Sequence, residues 1–226
     1  MLTPMTLEIG MLLFPQLTQL DLTGPHEVLA RMPDARVHLV AKKLDPVISE
    51  TGMAIVPTTT FAELPAPDVL FVPGGYGQIA ATDDAETLAW VRAAGDSAKW
   101  VTSACTGSLL LGAAGLLRGY RATTHWAFHD LLPLVGAIPV DERIVTDRNR
   151  ITGAGVTAGI EAALAIAAAV SGRDVAEQIQ LQIEYDPAPP FGAGHPRVAT
   201  AALVEQMRAR VAPRHAERLA QLSRTS

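Results

Sequence analysis

The chain alternates between short, nearly continuous apolar runs and longer segments whose apolar positions recur every three to four residues. Leu7 to Phe14 reads LEIGMLLF and stops at Pro15, the pattern of a strand buried on both faces of a parallel sheet. Thr23 to Arg31 is the helix expected next, with Thr23 or Gly24 as N-cap, Pro25 near the first turn, and Val28 and Leu29 facing inward. Arg36 to Ala41 alternates as a second strand. Asp68 to Val72 is another buried strand, running into Pro73-Gly74-Gly75. Thr82 to Ala94 then has helical periodicity, with Asp83 and Asp84 at its start, where carboxylates suit the helix dipole. Lys99 to Ala104 reads as a strand and Gly107 to Leu117 as a tightly packed helix, leaving Cys105 and Thr106 at the turn between them.

Downstream, Arg143 to Thr146 and Arg150 to Thr152 predict two short strands around an Asp147-Arg148-Asn149 turn, followed by Gly153-Ala154-Gly155 and an Ala-rich helix to about Ser171. Arg173 to Tyr185 is a further helix capped by Asp174. Asp186 to Pro196, rich in Pro and Gly, is an ordered surface loop. Val198 to Leu222 is amphipathic, interrupted by Pro213, and is expected to pack on the surface or on a second subunit. This alternation of strands and helices points to a doubly wound α/β sandwich. In such folds functional groups collect at the carboxyl ends of the strands, near the topological switch point. Four segments fall there: Gln16 to Gly24, Pro73 to Gln78, Ala104 to Gly107 and Gly153 to Thr157.

Composition narrows the function classes. With 226 residues, 49% hydrophobic and 18% charged, the chain is suited to one large domain and is not globally disordered. A net charge of -5 supplies no basic excess, which argues against nucleic acid or an anionic membrane as a partner. No apolar run reaches spanning length, since the stretch from Ile160 to Val170 is short and contains Glu161. Met1 to Phe14 has no Lys or Arg ahead of its apolar run and no small-residue cleavage site, so a signal peptide is not expected. The single cysteine, Cys105, excludes an intrachain disulfide and fits a reducing compartment. A soluble cytoplasmic protein is the expectation.

Cys105 lies where a buried strand turns into a helix, within Ser103-Ala104-Cys105-Thr106-Gly107-Ser108, the setting of a nucleophile elbow. The N–H groups of the helix's first turn would lower the thiol pKa and raise its thiolate fraction. A small buried hydrophobe is the other reading, because free cysteine is among the most often buried residue types. Asp21, flanked by Leu20 and Leu22, either caps the next helix or faces the site and moves protons, its pKa raised by partial desolvation. Gly74 and Gly75 let backbone N–H groups approach an anion, or simply make a tight turn, and Ala154 and Gly155 invite the same two readings. Neither a Walker lysine nor a GxGxxG spacing accompanies them, which disfavours nucleotide binding. His125 and His129, four apart on a predicted helix, can share a face as metal ligands do, but no third ligand is evident and capping or packing roles are favoured. Trp126 and Phe128 read as core or pocket wall. Thr106 carries a hydroxyl that hydrogen-bonds but cannot act as a general base at neutral pH, so peptide hydrolysis loses support.

Together the segments FPQLTQLDLTGPHEVL, VPGGYG, VTSACTGSLLLGAAGLL, RATTHWAFHDLLPLVGAIPV, ITGAGVTAGIEAAL and QLQIEYDPAPPFGAG resemble the bacterial isocyanide (isonitrile) hydratases, within the class I glutamine-amidotransferase-like superfamily. The match runs from about Leu7 to Phe191. The elbow and the Pro-Gly-Gly turn are shared across the superfamily, whereas LDLTGP, the Thr after the Cys and THWAFHDLLP are more specific. The resemblance implies a flavodoxin-like homodimer that hydrates an isocyanide to an N-substituted formamide without metal or organic cofactor. Position by position it implies Cys105 as nucleophile, Asp21 as general acid and base, Thr106 as the adjacent hydroxyl, and Gly75 in the turn facing the site. Ala154 stands between the glycines of GAG, and Tyr76 follows the glycine pair as a determinant of pocket size. A glyoxalase-like or deglycating enzyme, a redox sensor or chaperone oxidised at Cys105, and a ligand-sensing domain of the kind fused to helix-turn-helix regulators are the competing classes. The last is disfavoured by the absence of a basic DNA-binding segment.

Overall fold

The computed structural model describes residues 6–224, so the outermost positions of the expected 1–226 domain lie outside the described residues. The elements run β1 (Leu7–Leu12), α1 (Gln19–Leu29), β2 (Ala35–Ala41), β3 (Val47–Ile48), β4 (Ala54–Ile55), β5 (Thr59–Thr60), β6 (Val69–Val72), α2 (Gln78–Asp83), α3 (Ala85–Ser97), β7 (Trp100–Ala104) and α4 (Gly107–Ala113). They continue with β8 (Arg121–Ala122), a 3₁₀ helix (Trp126–Val135), β9 (Ile138–Pro139), β10 (Ile144–Asp147), β11 (Arg150–Gly153), α5 (Ala158–Ser171), α6 (Arg173–Gln182) and α7 (Ala201–Leu222).

Seven strands form the central sheet in the order β10-β11-β7-β6-β1-β2-β5. Every pairing in it is parallel except the hairpin β10–β11, which puts one antiparallel strand at an edge. The apolar run of β1 occupies a fully covered centre: Ile9, Met11 and Leu12 are completely buried, and Met11 stands in register with Leu39 of β2 and Phe71 of β6. Register also aligns the outgoing ends of the neighbouring strands, Val72 with Ser103 and Ala104 with Gly153. The loops leaving β1, β6, β7 and β11 therefore meet on one rim, as expected of a doubly wound, flavodoxin-like α/β sheet.

Several predicted boundaries move, each for a local reason. α1 begins at Gln19 with Thr18 as N-cap, so Pro25 lies well inside it rather than near its start. The proline is tolerated because it is buried against Gly159 of α5, and its missing N–H costs the helix only the bond to the Asp21 carbonyl. The helix predicted from Thr82 is two helices broken at Asp84, which has extended backbone and accepts a hydrogen bond from the Thr87 hydroxyl. α4 ends at Ala113, short of Leu117, and α6 is preceded by Gly172 at φ 93°, with Asp174 in its first turn instead of at the cap. α7 passes through Pro213 unbroken. The small antiparallel pair β3–β4 has no counterpart in the hydrophobic pattern, since two-residue strands leave no periodicity to read.

Candidate active site at the elbow after β7

Cys105 adopts φ 53°, left-handed backbone that a non-glycine residue holds only when its surroundings enforce it. They do so from both sides of the residue. Its N–H is shared by the carbonyls of Gly153 and Ala154 at 3.0 and 2.9 Å, while its own carbonyl accepts from Thr124 Oγ1 at 2.9 Å and Ser108 Oγ at 3.1 Å. Gly107 brings α4 against β6 so closely that a Cβ there would stand 2.1 Å from the Val72 carbonyl oxygen. The strand-to-helix turn is thus the expected elbow, and the thiol sits at its crest, buried.

Asp21 projects from the first turn of α1 and is 0% exposed. Its Oδ2 accepts the Gly74 N–H at 3.0 Å, while Oδ1 is buried without a hydrogen-bond partner among the described residues. The carboxyl and the Cys105 thiol are immediate electrostatic neighbours. Desolvation pushes the Asp21 pKa up to about 7 and the charge of Glu50 adds to this, against the lowering effect of the bonds from Gly74 and Cys105. The carboxyl does not cap α1, because the N-cap is Thr18; of the two roles read from sequence, the one facing the site is where the side chain lies. The thiol corrects a different expectation. Burial and the neighbouring Asp21 charge push it well above its ordinary value, and the Thr106 N–H, which lowers it, does not outweigh them. The resting sulfur is a protonated thiol, not a ready thiolate.

Thr106 and the glycine pair hold the Asp21 carboxyl and the Cys105 turn together. Thr106 Oγ1 accepts the Gly75 N–H at 3.1 Å, and a Cβ on Gly74 would fall 2.6 Å from the Thr106 nitrogen and 2.8 Å from Asp21 Oδ2. Gly75 itself has φ 133°. Only glycine fits either position. Ala154 serves through its backbone, holding the Cys105 N–H, and with Gly155 it lines an adjacent cavity of about 300 Å³ beside Thr123, Glu142 and His195. The pocket over the sulfur, about 200 Å³, is lined instead by Gly75, Tyr76, Trp126, Phe128, Val156, Met207 and Val211, with Glu50, His125 and Arg218. Trp126 and Phe128 are pocket wall, one of the two roles read for them.

His125 and His129 do not share a face. His129 lies on a 3₁₀ helix that begins at Trp126, and His125 precedes it with non-helical backbone, so no common helical winding brings the two together. His125 is its N-cap: Nδ1 accepts the Ala127 N–H, which leaves the ring proton on Nε2, and burial holds its pKa down near 4 so that it stays neutral. His129 lines a separate cavity with Asp130 and His215. Among the described residues no three His, Cys, Asp or Glu side chains converge on a point where a metal could sit.

The sequence reading missed Arg218 and the rest of the wall contributed by α7. Nothing local marks them, since their place over Cys105 exists only once α7 docks beside the 3₁₀ helix. Arg218 is 1% exposed, donating from Nε to Gln78 Oε1 at 2.8 Å and from Nη2 to the Gly75 carbonyl at 2.9 Å. The one available signal is that α7 reads as amphipathic while placing an arginine on its buried side.

The sequence pattern of the DJ-1/PfpI family matches residues 8–169, which include all but the first residue of β1, the elbow and most of α5. The chain belongs to the DJ-1/PfpI family. Within and around that family it is 57% identical over 209 residues to isonitrile hydratase from Pseudomonas putida, a match covering 92% of each chain. A ThiJ/PfpI family protein from Pseudomonas syringae superposes with a TM-score of 0.94 at 48% identity, covering 96% of this chain and 90% of the other. Oxidized DJ-1 from Toxoplasma gondii shares the fold at 19% identity, with a TM-score of 0.72 over 80% of this chain and all of its own. The HTH-type transcriptional regulator CdhR of Pseudomonas aeruginosa is 32% identical over 65% of this chain but only 44% of its own length. α7 lies beyond the part of this chain that the DJ-1/PfpI pattern covers.

Proposed function

We propose that this chain is an isocyanide hydratase, converting an isocyanide and water to an N-substituted formamide, with Cys105 as nucleophile and Asp21 as general acid and base. The observation that carries the reading is a desolvated carboxyl, with a pKa near 7, set beside an elbow thiol. It is supported by 57% identity to a protein named isonitrile hydratase.

The terminal carbon of an isocyanide accepts a nucleophile only as it also accepts a proton, and one group that takes and returns a proton meets that need. Because the thiol rests protonated, Asp21 in its carboxylate form removes the proton as sulfur attacks the carbon. It returns the proton to that same carbon. The S–H bond is thereby added across the carbon, giving a thioimidate, N=CH–S. Water then attacks the thioimidate carbon while Asp21 takes one of its protons and passes it to the nitrogen. The remaining hydroxyl proton returns to sulfur as the C–S bond breaks and C=O forms, releasing the formamide and restoring the thiol. A carboxyl titrating near 7 populates both forms at neutral pH, as this alternation requires. Thr106, Gly74 and Gly75 hold the pair in register, and Ala154 fixes the backbone under the sulfur while Gly155 shapes the cavity beside it.

The apolar wall formed by Trp126, Phe128, Val156, Met207 and Val211 suits the organic substituent of a small isocyanide. In the same reading the whole chain acts as one domain, in the cytoplasm, as a homodimer without cofactor. No helix of the described residues is long and apolar enough to cross a membrane. Exposed Ile48, Met53 and Val56, on and beside the β3–β4 hairpin, offer apolar surface for a second copy, which sedimentation would test. The function is tested by following an aryl isocyanide through ultraviolet absorbance and product mass, with the wild type beside Cys105→Ala. Formamide from the wild type alone is expected; no formamide from the folded wild type contradicts the reading.

A further inference from the structure

The strongest unexplained feature of the pocket is a buried cation that forms no ion pair among the described residues. Arg218 is 1% exposed, its two anchoring bonds go to neutral acceptors, and Nη1 is buried without a hydrogen-bond partner among the described residues. No carboxylate among the described residues forms an ion pair with it, and its guanidinium carbon lies 4.4 Å from the centre of the Phe128 ring. A guanidinium held in such a place is costly unless a counter-charge arises. The pocket it lines also holds Glu50, whose Oε1 accepts the Thr18 hydroxyl and which forms no ion pair with Arg218, and the Cys105 sulfur, the lining group that gains negative charge during the proposed reaction.

We propose that Arg218 is a positioning residue for the nucleophile, its guanidinium carried by α7 into the Cys105 pocket as the counter-charge for the negative charge that develops on sulfur as its proton leaves. The groups facing the sulfur fit this. Asp21 opposes ionisation from α1; the Thr106 N–H favours it from the elbow; His125 is neutral; and Arg218 is the cation that acts on it. Around Arg218 itself stand Arg214 and Glu217 of its own helix and Tyr76 of the loop after β6, whose ring stacks under Arg214 at 3.1 Å. Two anchors, Gln78 of α2 and the Gly75 carbonyl, fix the guanidinium, so its charge is preorganised rather than drawn in when needed. α7 lies outside the stretch matched to the DJ-1/PfpI pattern, so Arg218 is not among the residues that pattern describes.

The proposal rests on Cys105 as the nucleophile, and its test does not need an isocyanide. Cys105 is the only cysteine of the chain, so alkylation by iodoacetamide reports its thiolate fraction without ambiguity. Rates are measured from neutral to mildly alkaline pH for the wild type, Arg218→Gln and Arg218→Lys, with folding checked by circular dichroism. With the thiol titrating above the range, a roughly hundredfold weaker acid holds about a hundredfold less thiolate but a more nucleophilic one, and so reacts about tenfold more slowly at every pH. Arg218→Gln is expected to lose about that much, and Arg218→Lys, which keeps the charge but not the planar fork, to stay within about threefold of the wild type. Unchanged alkylation in folded Arg218→Gln overturns the proposal, as does an equal loss in folded Arg218→Lys, which would assign Arg218 to packing. Arg218→Lys alone decides the matter where the neutral variant does not fold. If formamide is never produced yet alkylation follows the charge, the hydration reading fails and this inference stands.

Discussion

The pocket over Cys105 has two walls built on different terms. On the elbow side, the sulfur, Asp21, Thr106 and the glycine pair are held mainly by backbone groups at the ends of β6, β7 and β11, at distances that leave no room for an added methyl group. On the other side, Trp126, Phe128, Met207 and Val211 of the 3₁₀ helix and α7 present side chains, several only half-buried, with Arg218 as their single deeply placed charge. The first wall is specified by main-chain geometry and admits little substitution, as suits proton and sulfur chemistry that depends on sub-ångström placement. The second sets shape and charge, and shape can change without disturbing the reacting atoms.

The sharpest way to separate the walls is Asp21→Asn. It keeps an acceptor for the Gly74 N–H but removes the transferable proton, so turnover should fall by about 10²- to 10⁴-fold with the fold intact. Stability should move the other way. Because the folded-state pKa is raised from 3.8 to about 7, the native protein binds more protons than the unfolded chain between those values. The contribution is fully present below 3.8 and is lost as pH rises through about 7, by up to ~4 kcal/mol in all. Urea unfolding at pH 5 and pH 8 should show that decline in the wild type and not in Asp21→Asn. A variant that unfolds at both pH values would instead give Asp21 a structural role.

Gly74→Ala tests how rigid the elbow wall is, since its Cβ would meet the Thr106 backbone nitrogen at 2.6 Å as well as Asp21 Oδ2 and Thr106 Oγ1 at 2.8 Å. A loss of about 1–3 kcal/mol in unfolding free energy is expected, together with lower turnover. Thr106→Val should be milder, stranding the Gly75 N–H at a cost on the order of 1 kcal/mol, measurable as a lower thermal midpoint. Met207→Ala, on the opposite wall, should leave the thermal midpoint nearly unchanged and alter KM for bulky isocyanides by about tenfold or less, with kcat largely retained. A collapse of kcat in this last variant would erase the distinction between the walls.

The same division governs what the sequence disclosed. The sheet was legible because buried parallel strands are uninterrupted apolar runs ending at Pro or Gly, and the elbow because Cys105 falls where such a run becomes a helix. Helix boundaries were less so. Pro25 suggested a start that the packing of α1 on α5 overrides, and Pro213 suggested a break that α7 does not make. The thiol's raised pKa was missed because a helix N-terminus is visible in sequence and burial is not. Arg218 could not be placed because no motif links a late amphipathic helix to the loop after β6; only docking does so.

The most direct test of the account is the covalent step. Wild-type protein mixed with excess aryl isocyanide, quenched during turnover and digested, should yield the Cys105 peptide heavier by the mass of one isocyanide molecule, the thioimidate. Formamide accumulating while that peptide stays unmodified at every quench time, with turnover intact in Cys105→Ala, would contradict it.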